Sequence, residues 1–259
     1  MADLRNYQTR AAPGARADAA IDEGLRAYMI RVYNLMALGL AITGLAAFGV
    51  ASLATTTDPS AAASQLGNGT LLTAFGSAIY LSPLRWVVML APLALVFFMS
   101  FRIQTLSVSA AQTTFWVYAA LVGLSLSSIF IVFTGESIVR TFFITAASFG
   151  ALSLWGYTTK RDLSGMGSFL FMGLIGIILA SVVNIFMQSS ALQFAVSAIG
   201  VLVFAGLTAY DTQRIKDTYF AVAGNAELAA KSAVMGALSL YLDFINMFMM
   251  LLNLFGNRE

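Results

Sequence analysis

The residue best placed to do chemistry is Asp243, in Leu240-Tyr241-Leu242-Asp243-Phe244-Ile245-Asn246, midway along an otherwise uncharged run from Ala233 to Phe255. A carboxyl at that depth in hydrocarbon costs roughly 2.5–3.5 kcal/mol on insertion scales. It must therefore face protein or water, carry a proton, or have a partner. Ser239, Asp243, Asn246, Met250 and Asn253 follow helical steps of four and three, so they form one narrow stripe. A polar stripe inside an apolar span predicts a helix lining a cavity. The other reading of the same pattern is a protonated Asp bonded to a neighbouring helix for packing alone.

Asp211, in Ala209-Tyr210-Asp211-Thr212-Gln213-Arg214-Ile215-Lys216, is the natural partner. Taken alone it reads as a solvated helix-end charge, paired with Arg214 or Lys216. If its helix continues through Tyr219, Asp211 lies inside the bundle instead. Two carboxyls buried together cannot both ionise cheaply, so they share a proton. Such a pair senses pH and, when deprotonated, binds a hard cation as a metal site made of Asp211 and Asp243. Ser239, Asn246 and Asn184 are candidate pore-lining residues, and Ser181, Asn184 and Gln188 make a second polar stripe. Arg102, ending an apolar segment on the same membrane face as Asp211, is a candidate gating partner. Glu136 and Arg140 have the i, i+4 spacing of an exposed ion pair.

These residues are set in a chain whose composition fixes its solvent. Hydrophobic residues make up 59% of the 259 and charged residues 10%, against about a quarter in soluble domains. Lipid must take the place of water over most of the surface. With no Cys and no His, the disulfide, thiol, imidazole, zinc and haem chemistries that need them are excluded, and no cofactor is expected. The net charge of +2 gives no footprint for nucleic acid. Glycines such as Gly39, Gly44, Gly173 and Gly176 fall inside apolar runs and predict close helix packing.

Seven spans account for the apolar segments. They are Val32–Leu53, Trp86–Phe101, Ala110–Phe133, Thr141–Thr159, two within Leu163–Tyr210 turning at Gln188-Ser189-Ser190, and Ala233–Phe255. Leu71–Leu81 is expected at the interface. Residues 1–28 read as a disordered cytoplasmic tail, turning helical from Ala19, and residues 29–259 as the transmembrane domain. With the N-terminus inside, Arg85, Arg140 and Arg258 lie outside, and the other basic residues lie inside or at inner span ends. This asymmetry predicts a cytoplasmic N-terminus and an external C-terminus. No internal repeat supports an inverted-repeat transporter.

The segments Phe169–Phe186, Gly200–Lys216 and Ala237–Leu252 together resemble the Bax inhibitor-1 family, most specifically in YDTQRIK and LYLDFINMF. The resemblance covers nearly all the chain after the tail. It implies an all-α integral membrane protein, six helices around a central seventh, without enzymatic activity. Bacterial members resemble pH-sensitive Ca2+ leak channels of the inner membrane. The family's paired aspartates map onto Asp211 and Asp243, whose hydrogen bond sets the pore open or closed. Partners implied are the bilayer, Ca2+, protons and, for some relatives, a membrane protease that a non-conducting member would modulate. The studied pattern also has an acid and an arginine in the second helix; here Trp86–Phe101 has no acid and Arg102 lies only nearby. The two aspartates also resemble the presenilin arrangement of an intramembrane aspartyl protease. The Gly-x-Gly-Asp pattern of that class is replaced by Leu240-Tyr241-Leu242-Asp243.

Overall fold

The structure, a computed structural model, describes residues 13–103 and 105–258, with side chains from residue 23. Its helices are α1 (Pro13–Ala54), α2 (Ala74–Tyr80), α3 (Leu84–Arg102), α4 (Val108–Leu126), α5 (Ile129–Val132), α6 (Gly135–Thr158), α7 (Ser164–Met187), α8 (Ser190–Val222) and α9 (Ala226–Phe255). Among the described residues seven stretches are long and apolar enough to cross a membrane, with α4 and α5 together forming the third. The chain is an all-α integral membrane protein. The ends of the membrane-crossing bundle are here called the N-terminal face, where the α3–α4, α6–α7 and α8–α9 loops lie, and the C-terminal face.

Of the expected tail, residues 1–12 lie outside the described residues. The helix begins at Pro13, earlier than Ala19, as suits a proline whose fixed φ fits the first helical position. Farther along α1, Leu25, Tyr28, Met29, Val32 and Met36 are buried at helical spacing. The connection after α1 is ordered. Three short antiparallel strands, β1 (Thr55–Thr56), β2 (Ser64–Gln65) and β3 (Leu71–Leu72), pair in the order β1-β3-β2. They lead into α2, which packs on α1 and α3. Asn68 Nδ2 ties this cap to Ile131 O at 3.2 Å.

At the centre is α9, whose apolar window is 61% buried, against 11% for both α3 and α7. It packs directly on α1, α4, α6 and α8, and its interface with α8 is the largest among the described residues. α3 and α7 complete the ring at a distance. α7 packs chiefly on α8, α3 on α4 and α2, and the two share no substantial interface with each other among the described residues. Of the glycines expected to mark close packing, Gly39 lies under Phe115 and Gly173 against Val203, whereas Gly44 and Gly176 face open space. The closest backbone approach on α6 is at Gly156, where any Cβ would collide with Ala209 O of α8.

The Glu136–Arg140 ion pair does not form among the described residues. Arg140 Nη2 instead donates to Phe255 O at 3.4 Å. An exposed i, i+4 pair is worth only a few tenths of a kcal/mol, roughly 0.3–0.5. A cation at the C-terminus of α9 meets unpaired carbonyls and the negative end of the helix dipole, which is competitive with that.

Candidate functional site

α8 continues for eleven residues past Asp211, to Val222, because Thr212, Ile215 and Tyr219 keep packing on neighbouring helices beyond it. Asp211 is therefore inside the bundle, 9% exposed, and Asp243 is 4% exposed. Both line one cavity of about 1010 Å³, bounded by α3, α7, α8 and α9. Among the described residues Asp243 Oδ2 is buried with no hydrogen-bond partner. A buried acceptor left bare costs about 1–3 kcal/mol, more if it is charged, so this oxygen is poised for something the cavity can admit.

Asp211 is paired. Arg214 Nη2 lies 3.3 Å from Asp211 Oδ1 and donates to Ser239 Oγ of α9 at 3.4 Å. Lys216, the other cation near Asp211 in sequence, turns away: its Nζ donates to Tyr157 O of α6 at 2.9 Å. Arg102 is exposed at the end of α3, outside the cavity, and takes part in no ion pair among the described residues. The cation that meets the aspartate is Arg214, one turn along the same helix. Its spacing from Asp211 is legible in the sequence, but its bridge to Ser239 depends on how α8 and α9 pack.

The stripe on α9 runs along two adjoining cavities. Ser239, Asp243, Asn246 and Met250 line the first. Met250 and Asn253 line a second, of about 450 Å³, with Ser181, Asn184 and Gln188 of α7 and its C-cap. The second polar stripe thus faces the same route. Two of these residues are also structural. Asn184 Oδ1 accepts from Ser189 N at 3.0 Å in the α7–α8 turn, where Gln188 adopts φ 50°, and Asn246 Nδ2 donates to Leu242 O at 2.8 Å. Gln193 and Ser197 of α8, which pattern alone does not single out, add polar lining here.

A third cavity, of about 240 Å³, opens on the N-terminal face and shares Arg214 and Ser239 with the first. Tyr28, Thr218 and Ser232 also line it, and the Tyr28 hydroxyl is buried without a partner among the described residues. The Arg214–Ser239 bridge is therefore the partition between this vestibule and the aspartates. No group of three or more acidic residues able to hold a metal occurs among the described residues. A cation at the pair would need oxygens from Ser239, Asn246 or water as well.

Seven apolar helices enclosing two buried carboxyls define a multi-pass membrane protein with ionisable groups at its heart. The chain belongs to the Bax inhibitor-1 family: the family profile described as inhibitor of apoptosis-promoting Bax1 matches residues 25–259. It is 44% identical over 260 residues to an uncharacterized protein of Caulobacter vibrioides, covering 100% of both chains. It is 48% identical to an uncharacterized protein of Rickettsia prowazekii, over 92% of each chain. The inner membrane protein YbhL of Escherichia coli is also 48% identical, over 91% of this chain and 94% of that one.

Proposed function

We propose that the chain is a passive, pH-modulated cation pathway of a bacterial inner membrane, with Ca2+ as the transported ion and the N-terminal face in the cytoplasm. The observation that carries this reading is the run of three adjoining cavities along one face of α9, with Asp211 and Asp243 in the middle one. Deprotonated, the two carboxyls supply hard anionic oxygens, and Ser239 and Asn246 neutral ones, as Ca2+ prefers. Arg214 holds the site at rest by occupying Asp211, and an incoming cation must displace it. Protonation of the pair removes the attraction, so flux falls on acidification. The excess of Arg and Lys at the N-terminal face supports the orientation, and YbhL is named as an inner membrane protein.

Calcium flux into vesicles holding the purified chain, followed across pH for wild type and Asp243→Asn, tests this. The expected result is flux that rises with pH in wild type and is largely lost in the variant. Equal flux in both would remove Asp243 from the path, and no flux above empty vesicles would remove conduction.

A further inference from the structure

The cavity that holds the aspartates is a poor vessel for water alone. Its far wall is apolar, and much of that wall is on the outer surface of the bundle: Leu93 of α3 is 54% exposed, and Phe171, Ile178 and Ile185 of α7 are 59%, 53% and 67% exposed. Since α3 and α7 share no substantial interface among the described residues and these lining side chains are exposed, the gap between them opens sideways, towards the bilayer. The lining of α7 runs from Gly167 to Ile185, which at 1.5 Å per residue is about 27 Å, most of the hydrocarbon depth. A long, laterally open slot of this volume suits one extended amphiphile.

Its floor selects the head group. Asp211 and Asp243 carry two potential negative charges against the single guanidinium of Arg214, and Asp243 Oδ2 lacks a donor among the described residues. An anionic head would be repelled and a neutral one would bring at most a hydrogen bond, whereas a protonated amine brings both a charge and an N–H. The other large lateral groove, of about 660 Å³ between α1 and α6, makes the contrast. Met36, Leu40, Phe149 and Phe244 line it, with Arg26 at one end and no acidic residue among the described residues. That groove offers no described carboxyl to a cationic head, and its one charged lining residue, Arg26, would repel it.

We infer that the α3–α7 opening admits a membrane-dissolved amphiphile with a cationic amine head, whose tail lies along α7 and whose head rests on Asp243. The site shares its aspartates with the proposed ion path but does not depend on conduction; an occupant would block it.

The test uses the full chain in lipid nanodiscs and two carbodiimides, dicyclohexylcarbodiimide, which dissolves in the bilayer, and a water-soluble one. A protonated carboxyl adds across one C=N bond of either reagent, oxygen to the central carbon and proton to a nitrogen. The acyl group then leaves that oxygen for a nitrogen, giving a stable N-acylurea that peptide mass spectrometry locates. The expected result is several-fold faster labelling of Asp243 by the lipid-soluble reagent, abolished in Asp243→Asn. N,N-dimethyldodecylamine, protonated at neutral pH and, as a tertiary amine, unable to form a stable amide with the activated carboxyl, should protect Asp243. Dodecanol (the same tail with a neutral head) and triethylamine (the head without the tail) should not. Equal labelling by both reagents, or labelling by neither, would overturn the lateral opening. Equal protection by dodecanol would overturn the cationic head. No ion gradient is used, so a chain that labels and is protected but carries no Ca2+ keeps this site while losing the proposed function.

Discussion

Tyr241 and Asp243 are two residues apart on α9 and face opposite surroundings. On the Tyr241 side the packing is close, and the hydroxyls of Tyr241 and Thr43 are paired with each other. The ring is fully buried, meets Phe115 and Tyr118 edge-on at 5.7 and 5.8 Å, and its hydroxyl bonds Thr43 Oγ1 of α1 at 2.6 Å. Gly123 of α4 lets α1 come close enough that a Cβ there would sit 2.5 Å from Thr43 O. On the Asp243 side a large cavity, an acceptor without a partner and two peripheral helices replace that packing. The α1–α4–α9 side is a frame, and the α7–α8–α9 side is the working surface it holds up. Stability and function should therefore separate along α9 residue by residue.

The largest effect expected is on the frame. Tyr241→Ala empties a fully packed site and should lower unfolding free energy in detergent by about 3–5 kcal/mol, as aromatic truncations do. Asp243→Asn, nearly as deep, should stay within about 0.5 kcal/mol of wild type or exceed it, because it removes a group that costs rather than contributes. If the two variants lose equal stability, the division into frame and working surface fails.

Next is a test of the partition. The chain has no Cys, so single cysteines can be introduced without removing any. Ser232→Cys, in the N-terminal vestibule, should react with an impermeant thiol reagent from that face, and Asn246→Cys, beyond Arg214, should not. Adding Arg214→Gln should open Asn246→Cys to the reagent and leave Ser232→Cys unchanged. Reaction of Asn246→Cys with Arg214 intact would show that the bridge to Ser239 is no barrier.

A smaller effect returns to the frame. Tyr241→Phe keeps the ring and removes only the bond to Thr43, and hydrogen bonds between membrane helices average about 0.6 kcal/mol. Thr43 Oγ1 also lies 2.9 Å from Ala119 O and 3.0 Å from Gly39 O, so it retains acceptors after the substitution. A loss approaching that of Tyr241→Ala would mean that the hydroxyl, not the ring, holds α1 to α9.

Much of this division is legible in the sequence, for physical reasons. Hydropathy and length reveal the spans because hydrocarbon thickness is a constraint on each helix alone. The stripe from Ser239 to Asn253 is legible because 3.6-residue periodicity is a property of one helix, and it lines the cavities as its spacing implies. Which helices stand behind Asp243 is set between helices and has no signature in any one of them. That is why the bridge from Arg214 to Ser239, and the lining by Gln193 and Ser197, emerge only from the packing, and why Arg102, similar in type and on the expected face, lies elsewhere. Tyr241 has an apolar neighbourhood like many others in the chain, and nothing local marks it as the anchor of the frame.

The smallest effect tests whether the working surface can be loosened from its edge. Asp162, in the loop before α7, accepts from Ser164 N at 2.8 Å, and the Ser164 hydroxyl and then its amide hold this carboxyl below the ordinary Asp range. A carboxyl whose folded pKa is lowered contributes stability that is present above its unfolded pKa and lost as pH falls through the folded value. Acidification below the usual Asp range should therefore release the first turn of α7, which packs chiefly on α8 and walls the cavity. Amide exchange near Ser164 should quicken there while the amides around Thr43 and Tyr241 stay protected. Because Asp162 is fully exposed, the change should be confined to that turn. Asp162→Asn keeps an oxygen that can accept from Ser164 N but cannot be protonated in this range, so it should flatten the acid limb at Ser164. If the amides of the frame respond to acid together with those of α7, the two sides of α9 unfold as one unit.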